Sequence, residues 1–182
     1  MSAHAVRADS EKSKEYQIKA AFLYNFIKFV DWPEEKPSDE KTITIGIIGK
    51  DPFGSAFEPL KDKQAKDKKV VIKQFESVEE SPLPREQVEA IKKCHVLFIC
   101  RSEVKQIKRI IDSVKGHSVL TVGDMEDFLE SGGIINFVKQ DEKVRFEINN
   151  AAAKKSRLDI RSQLLRLAKR VTDEQTSNGA QS

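Results

Sequence analysis

Four polar residues stand where a folded sheet could bring them together. Asp51, Glu103 and Asp124 each follow an apolar run, and Arg101 lies two residues before Glu103. The carboxyl ends of parallel strands meet at one edge of an open sheet, where α/β folds bind ligands. Three carboxylates and a guanidinium at that edge could hold a small polar molecule. The alternative is structural: Asp51 and Asp124 also fit helix N-caps, and Arg101 could simply pair with Glu103.

The common enzyme motifs are absent from the sequence. It contains no dinucleotide fingerprint, Walker-type loop, nucleophile elbow or zinc-protease motif. Gly46 to Gly54 contains three glycines, but their spacing favours a tight turn over a phosphate loop. The three histidines are too scattered for a metal site, and His95 is best explained as a satisfied core residue. We therefore expect no catalytic residue, metal or cofactor, and an enzyme that uses a nucleotide in the same crevice is the least favoured alternative.

Basic residues concentrate near the C-terminus. Arg157, Arg161 and Arg166 lie with several lysines on a predicted helix over 150–171, opposite an apolar stripe. Such a face could meet an acidic partner, although a solvated amphipathic face is the simpler interpretation. The whole chain carries 32 Lys plus Arg against 29 Asp plus Glu, a formal charge of +3. This near balance argues against a dedicated nucleic-acid binder.

Strands and helices are predicted to alternate along the chain, and these elements must position the candidate residues named above. Continuous apolar runs indicate strands buried on both faces, and a double glycine precedes a hairpin. The pattern predicts an α/β fold, a Rossmann-like three-layer sandwich with a mostly parallel sheet and an antiparallel hairpin edge. The predicted strands are 42–49, 70–75, 94–100, 118–122, 134–138 and 144–148. The predicted helices are 15–32, 86–92, 102–114, 125–130 and 150–171.

The length of 182 residues predicts one domain, over 15–171, with unordered ends at 1–14 and 172–182. No apolar run reaches the roughly 18–20 residues that cross a bilayer. The small residues around Ala8 resemble the end of a signal peptide, or an ordinary N-terminus. Cys94 and Cys100 lie on one predicted strand, about 20 Å apart at roughly 3.3 Å per residue, so they cannot bond to each other. They are interpreted as small buried residues, and the alternative is an intermolecular bridge or a redox role.

An ordered series of motifs runs through most of the chain and resembles the YfiR family of bacterial periplasmic proteins. The motifs are YQIKAAFLYNFIKFVDWP at 16–33, GKDPFG at 49–54, CHVLFI at 94–99, VLTVGD at 119–124, GGIINF at 132–137, RFEINNAA at 145–152 and LLRLA at 164–168.

The resemblance implies a signalling role without catalysis. YfiR-like proteins bind the periplasmic sensor domain of a membrane-bound diguanylate cyclase and repress it, which limits cyclic-di-GMP and biofilm formation. An OmpA-like outer-membrane lipoprotein can sequester the repressor. The resemblance also implies export to the periplasm and a homodimer. One departure is clear: relatives with extra cysteines form a disulfide after the double-glycine hairpin, whereas 133–171 contains no cysteine here.

Two hypotheses follow. In the first, the chain represses a cyclase by protein contact, and the interface elements are the Phe-rich first helix and the basic last helix with Arg157, Arg161 and Arg166. In the second, it is a small-molecule sensor whose ligand contacts Asp51, Arg101, Glu103 and Asp124. The two are compatible.

Overall fold

The computed structural model describes residues 3–34, 41–78 and 82–173. Within these residues the chain alternates strands and helices, as the apolar pattern predicts. The strands are β1 (Val30–Asp31), β2 (Thr42–Ile48), β3 (Gln64–Ala65), β4 (Lys68–Phe75), β5 (Val96–Ile99), β6 (Leu120–Gly123), β7 (Ile135–Gln140), β8 (Lys143–Asn149), β9 (Asp159–Ile160) and β10 (Arg170–Thr172). The α-helices are α1 (Ala3–Phe29), α2 (Arg85–Lys92), α3 (Ile107–Ser113), α4 (Asn150–Lys155) and α5 (Ser162–Leu167).

Eight of these strands form one sheet in the order β10-β8-β7-β6-β5-β2-β4-β3. The five inner strands, β4, β2, β5, β6 and β7, pair in parallel, and β8 returns antiparallel to β7 as a hairpin. The mostly parallel sheet with an antiparallel hairpin edge is thus confirmed. After β2 the chain adds β4 on one side and then β5 on the other. The carboxyl ends of β2 and β5 therefore mark the switch point where open α/β sheets bind ligands.

Helices cover both faces of the sheet. Along β5, Val96 and Phe98 pack in the core that contains α1, while Leu97 and Ile99 pack in the core that contains α2 and α3. Burial on both faces explains why this strand is apolar at every position. The arrangement is the expected three-layer sandwich.

The first helix is longer than the sequence pattern indicates. We expected residues 1–14 to be unordered, but α1 begins at Ala3, and residues 4–14 form exposed helical turns. Alanine, glutamate and lysine favour helix without tertiary contacts, and Arg7 and Glu11 are paired at one-turn spacing, 3.7 Å apart. Residues 1–2 lie outside the described residues, and the domain boundaries at 15 and 171 stay predictions.

The single C-terminal helix expected over 150–171 is wrong. Arg157 has φ +57°, a left-handed conformation that ends α4. β9 then pairs antiparallel with β1, α5 makes a short helix, and β10 pairs in parallel with β8. The apolar residues fit a helical stripe, but Leu167 is exposed while Ile160 and Leu164 reach the core. Thr172, which was expected in the unordered tail, is the last residue of β10, and residues 174–182 lie outside the described ones.

Three further local predictions differ from the structure. Asp51 and Asp124 open turns rather than helices, and a 3₁₀ helix over Arg101–Gln106 precedes α3. Residues 61–69, a lysine-rich stretch expected to be a solvated connection, contain the turn of the β3–β4 hairpin, whose loop residues Lys66 and Asp67 both have positive φ (53° and 61°). Such two-residue loops match the twist of paired strands.

Candidate functional site

The polar residues predicted at the carboxyl edge do converge there. Asp51 follows β2, Glu103 follows β5 and Asp124 follows β6. Cys100 lies among them: burial first, and then the negative charges of all three carboxylates, raise the pKa of its thiol to about 12. The strand ends therefore meet around the end of β5, as the parallel topology requires.

Glu103 fills the switch point. Only 1% of this residue is exposed, and its carboxylate accepts hydrogen bonds from Ser77, from the Val78 N–H at 2.8 Å and from the Ser102 hydroxyl at 2.7 Å. Gly49 borders it at φ +104°, and a Cβ there would lie 2.7 Å from Glu103 Oε1. The chain itself thus occupies the place where related sheets leave a crevice.

Asp124 is buried beneath α1, with 1% of its side chain exposed. Its Oδ2 accepts a hydrogen bond from the Tyr16 hydroxyl at 2.7 Å and another from Lys19 Nζ at 2.8 Å. Arg101 Nε lies 3.3 Å from Oδ1 and donates to the Asp124 carbonyl at 2.9 Å. Burial and the Asp124 charge together raise the pKa of Tyr16 above its ordinary value, so the phenol stays a donor.

Asn136 positions this carboxylate from the neighbouring strand. Its side-chain amide donates to the Met125 carbonyl at 2.9 Å and its oxygen accepts from the Met125 N–H at 3.2 Å. Glycine at position 133 leaves room for the Phe128 ring, because a Cβ at that position would lie 2.1 Å from the ring. The double-glycine motif thus lets the turn after β6 fold back and hold Asp124 in place.

The network continues along α1 to the surface. Lys19, with a 3% exposed side chain, pairs with Glu15 at 2.6 Å, and Glu15 pairs with Lys139 at 2.9 Å. Burial alone would raise the pKa of Glu15, but hydrogen bonds from Lys19 and Lys139 outweigh it and the pKa lies below its ordinary value. Charges of opposite sign therefore alternate from Lys139 to Asp124.

Tyr16, Lys19 and Glu15 were missed by the sequence analysis. Tyr16 and Lys19 lie three residues apart on the buried face of α1, in line with Ala20 and Leu23. A lysine on that apolar stripe was a usable signal, because a buried ammonium needs a carboxylate partner.

The two remaining residues of the predicted site, Asp51 and Arg101, differ in their exposure to solvent. Asp51 accepts from the Phe53 N–H at 2.7 Å and from the Gln74 amide, so it stabilises the turn after β2. Arg101 has 64% of its side chain exposed. It borders a surface cavity of about 280 Å³ together with Tyr16 and Lys139. Of the four predicted residues, Arg101 is the one that solvent reaches most freely.

The three arginines predicted for a partner surface make different contacts. Arg161 forms a two-pronged pair with Asp31, Nε to Oδ2 at 2.9 Å and Nη2 to Oδ1 at 3.0 Å. The hydrogen bond from Arg161, together with Lys66, lowers the pKa of Asp31 to about 2 despite some burial. Arg157 approaches the Gly116 carbonyl at 3.5 Å, and Arg166 is exposed on α5 beside exposed Leu167.

Both cysteines are buried, as expected, and neither forms a disulfide in the described part of the chain. His95 is also a satisfied core residue, since its Nδ1 accepts from the Thr44 N–H at 3.2 Å and its ring packs edge-on to Trp32. Across 3–34, 41–78 and 82–173, no group of three or more potential ligands is arranged to hold a metal ion. Nor does any helix in these ranges have the length and apolar character to cross a membrane.

Comparison with known proteins identifies relatives. A family model described as YfiR/HmsC-like matches residues 16–169. No curated protein matches the sequence. Solved structures with the same fold include an ABC domain from Streptococcus pneumonia in complex with L-Trp (12% identity, TM-score 0.59) and a conserved domain protein from Vibrio cholerae O1 biovar eltor (14%, 0.56). Each match covers 86% of this chain but 60% of the other, so the chain spans less than two thirds of those proteins.

Proposed function

The chain belongs to the YfiR/HmsC-like family, and on that premise we propose that it represses a membrane-bound diguanylate cyclase from the periplasm. The family consists of regulatory proteins that act in cyclic-di-GMP signalling. The repressor would bind the periplasmic sensor domain of the cyclase, limiting cyclic-di-GMP and biofilm formation. A homodimer, and sequestration by an OmpA-like outer-membrane lipoprotein, are part of the same proposal.

The family match is the observation that carries the proposal. It spans 16–169, from Tyr16 on the buried face of α1 to Lys169, two residues past the end of α5. The chemistry of the carboxyl edge supports a binding role, because its buried charges are satisfied inside the chain, Lys19 and Asp124 by an ion pair and Glu103 by hydrogen bonds. Such pairing stabilises a scaffold and uses up the groups that could act on a substrate.

Arg166 and Leu167 are the strongest candidates for partner contact. Both are exposed at the end of α5, and arginine is enriched among the hot spots of protein interfaces. Arg161 is already paired with Asp31 and so supports the pairing of β1 with β9. Its contribution to partner binding would be to hold these two strands in place. Arg157 would contribute from the turn after α4.

The test is cyclic-di-GMP measured in the native host with and without the gene. The deletion strain is complemented with an exported copy, a copy retained in the cytoplasm, and an exported Arg166→Glu copy. We expect cyclic-di-GMP to rise on deletion and to fall again only with the exported unmodified copy. An unchanged level on deletion would overturn the cyclase assignment, and rescue by the cytoplasmic copy would overturn the compartment.

A second candidate is a small-molecule sensor that uses the carboxyl edge. The supporting observation is the cavity of about 280 Å³ beside Arg101 and Lys139. There Arg101 would contact the ligand, while Asp51, Glu103 and Asp124 hold the edge in shape. An anionic group would suit Arg101, which borders the cavity with Lys12 and Lys139 and with the carboxylates Glu11 and Glu15.

A further inference from the structure

A larger cavity lies at the opposite end of the sheet from the carboxyl-edge network. It measures about 360 Å³ and lies between α3, the turn after β6 and α4, with β10 at one side. Its size falls within the range of small-molecule sites. Five buried apolar residues line it: Ile111, Val114, Val119, Leu129 and Ile134. The wall of the cavity could therefore pack against the apolar part of a ligand.

One buried polar group faces this cavity with a hydrogen to donate. Thr121 is 2% exposed and its hydroxyl accepts a hydrogen bond from the Ile134 N–H at 3.1 Å. A hydroxyl also carries one hydrogen of its own. Within the described residues no acceptor is assigned to that hydrogen, so an acceptor atom of a ligand could take it.

The rim is rich in cations: Lys108, Lys115, Lys155 and Arg170 line it, with Glu130 as the one carboxylate in the lining. Asp112 neutralises the first two in part, lying 2.9 Å from Lys108 and 3.2 Å from Lys115.

Arg170 is compensated by Glu147 at 2.9 Å and more distantly by Glu130 at 3.8 Å. Lys155 is exposed and forms no ion pair with any residue in the described part of the chain. The uncompensated positive charge of the rim is therefore on Lys155.

We propose that this cavity binds a small organic anion, with its apolar body against the Ile111 and Leu129 side and its acidic group at Lys155. Lys108 on α3 and Lys115 in the turn after it complete the positive rim on the opposite side. The cavity shares no lining residue with the carboxyl-edge site, so ligand binding there is independent of that site and of the cyclase assignment.

The test is an NMR titration of the full ¹⁵N-labelled chain with sodium octanoate, and in parallel with 1-octanol, which has the same apolar length without the charge. We expect saturable shifts centred on Ile111, Leu129 and Ala152, with the alcohol binding several-fold more weakly. Lys155→Gln should weaken octanoate about three- to fivefold, the range for an exposed ion pair of up to about 1 kcal/mol.

Lys154→Gln is the matched control, since Lys154 is on the same helix but pairs with Asp173 outside the cavity. Ala151→Phe, which places a ring in the lining, should abolish the shifts while the remaining spectrum stays folded. The proposal is overturned by shifts that never saturate, by shifts centred elsewhere, by equal affinity for octanoate and the alcohol, or by equal loss in Lys155→Gln and Lys154→Gln.

Discussion

Lys19 and Asp124, 105 positions apart in the chain, form a buried ion pair with 2.8 Å between Nζ and Oδ2. The pair joins α1 to the end of β6 and belongs to a network that includes Tyr16, Glu15 and Arg101. Because both side chains are almost fully buried, each depends on the other for its charge to be tolerated.

Removing the lysine should therefore be costly. Lys19→Met leaves Asp124 buried without its ammonium partner, and we expect a loss of about 3–5 kcal/mol in the free energy of unfolding. Urea denaturation followed by circular dichroism measures it. Lys14→Met, an exposed position on the same helix, is the control and should change stability by less than about 0.5 kcal/mol. Equal values for the two variants would show that the pair does not stabilise the fold.

The Asp31–Arg161 pair predicts a pH dependence. The pKa of Asp31 is about 2 in the folded protein against an ordinary value of 3.8. A carboxyl whose folded pKa is lowered stabilises the protein above its unfolded pKa, and this contribution is lost as the pH falls toward the folded value. Stability should thus decline between about pH 4 and pH 2.

Arg161→Gln should reduce that decline, as measured by urea denaturation at stepped pH. Asp31 is partly exposed, so solvent screening keeps the effect small. Arg109→Gln, at an exposed position on α3, should retain the decline of the unmodified protein. Identical acid profiles for both variants would mean that the pair does not influence folding.

Gly49→Ala should distinguish backbone strain from steric conflict. The position has φ +104°, and a Cβ would lie 2.5 Å from Ser102 Oγ and 2.7 Å from Glu103 Oε1. Gly116 also has positive φ, +77°, but a Cβ there meets nothing within 4 Å. Gly116→Ala should cost about 1 kcal/mol from strain alone, and Gly49→Ala measurably more. Thermal unfolding of both variants checks this, and a smaller loss for Gly49→Ala would contradict the packing around Glu103.

Charge reversal on α5 tests the proposed partner surface. Arg166→Glu should weaken binding to the purified sensor domain roughly tenfold, because it turns an attraction of up to about 1 kcal/mol into a repulsion of similar size. Isothermal titration calorimetry measures the affinity. Arg109→Glu makes the same change at an exposed position on α3 and should bind normally. Unchanged affinity for Arg166→Glu would remove α5 from the interface.

The sensor hypothesis has its own test at the carboxyl edge. A metabolite screen by thermal shift should yield compounds that stabilise the protein through Arg101. Those shifts should disappear in Arg101→Ala and persist in Lys105→Ala, an exposed cation on the adjoining 3₁₀ helix. Hits that survive Arg101→Ala would place their binding elsewhere.

The parallel strands at the centre of the sheet were predictable because each can be recognised from its own stretch of sequence. β2 and β5 are continuous apolar runs, and such runs indicate burial on both faces wherever they occur. The convergence of Asp51, Glu103 and Asp124 followed from topology alone. The contacts of each carboxylate could not be predicted in the same way, because Tyr16 and Lys19 reach Asp124 from a distant segment of the chain.

The C-terminal segment shows the limit of periodicity. Ile160 and Leu164 are spaced as on a helix, and they are indeed buried. The break before them depends on the left-handed Arg157 and on pairing of β9 with β1, about 130 residues earlier. Local pattern identified the buried residues, and long-range pairing decided the backbone that carries them.

The burial of both thiols governs how the protein can self-associate. Cys94 and Cys100 are each 1% exposed, and the Cys100 thiol, with a pKa of about 12, remains protonated at neutral pH. Thiol exchange requires an accessible thiolate, which neither residue offers. Any assembly of the folded chain would therefore be non-covalent and would follow mass action, so that it would depend on protein concentration and not on the oxidants of the compartment.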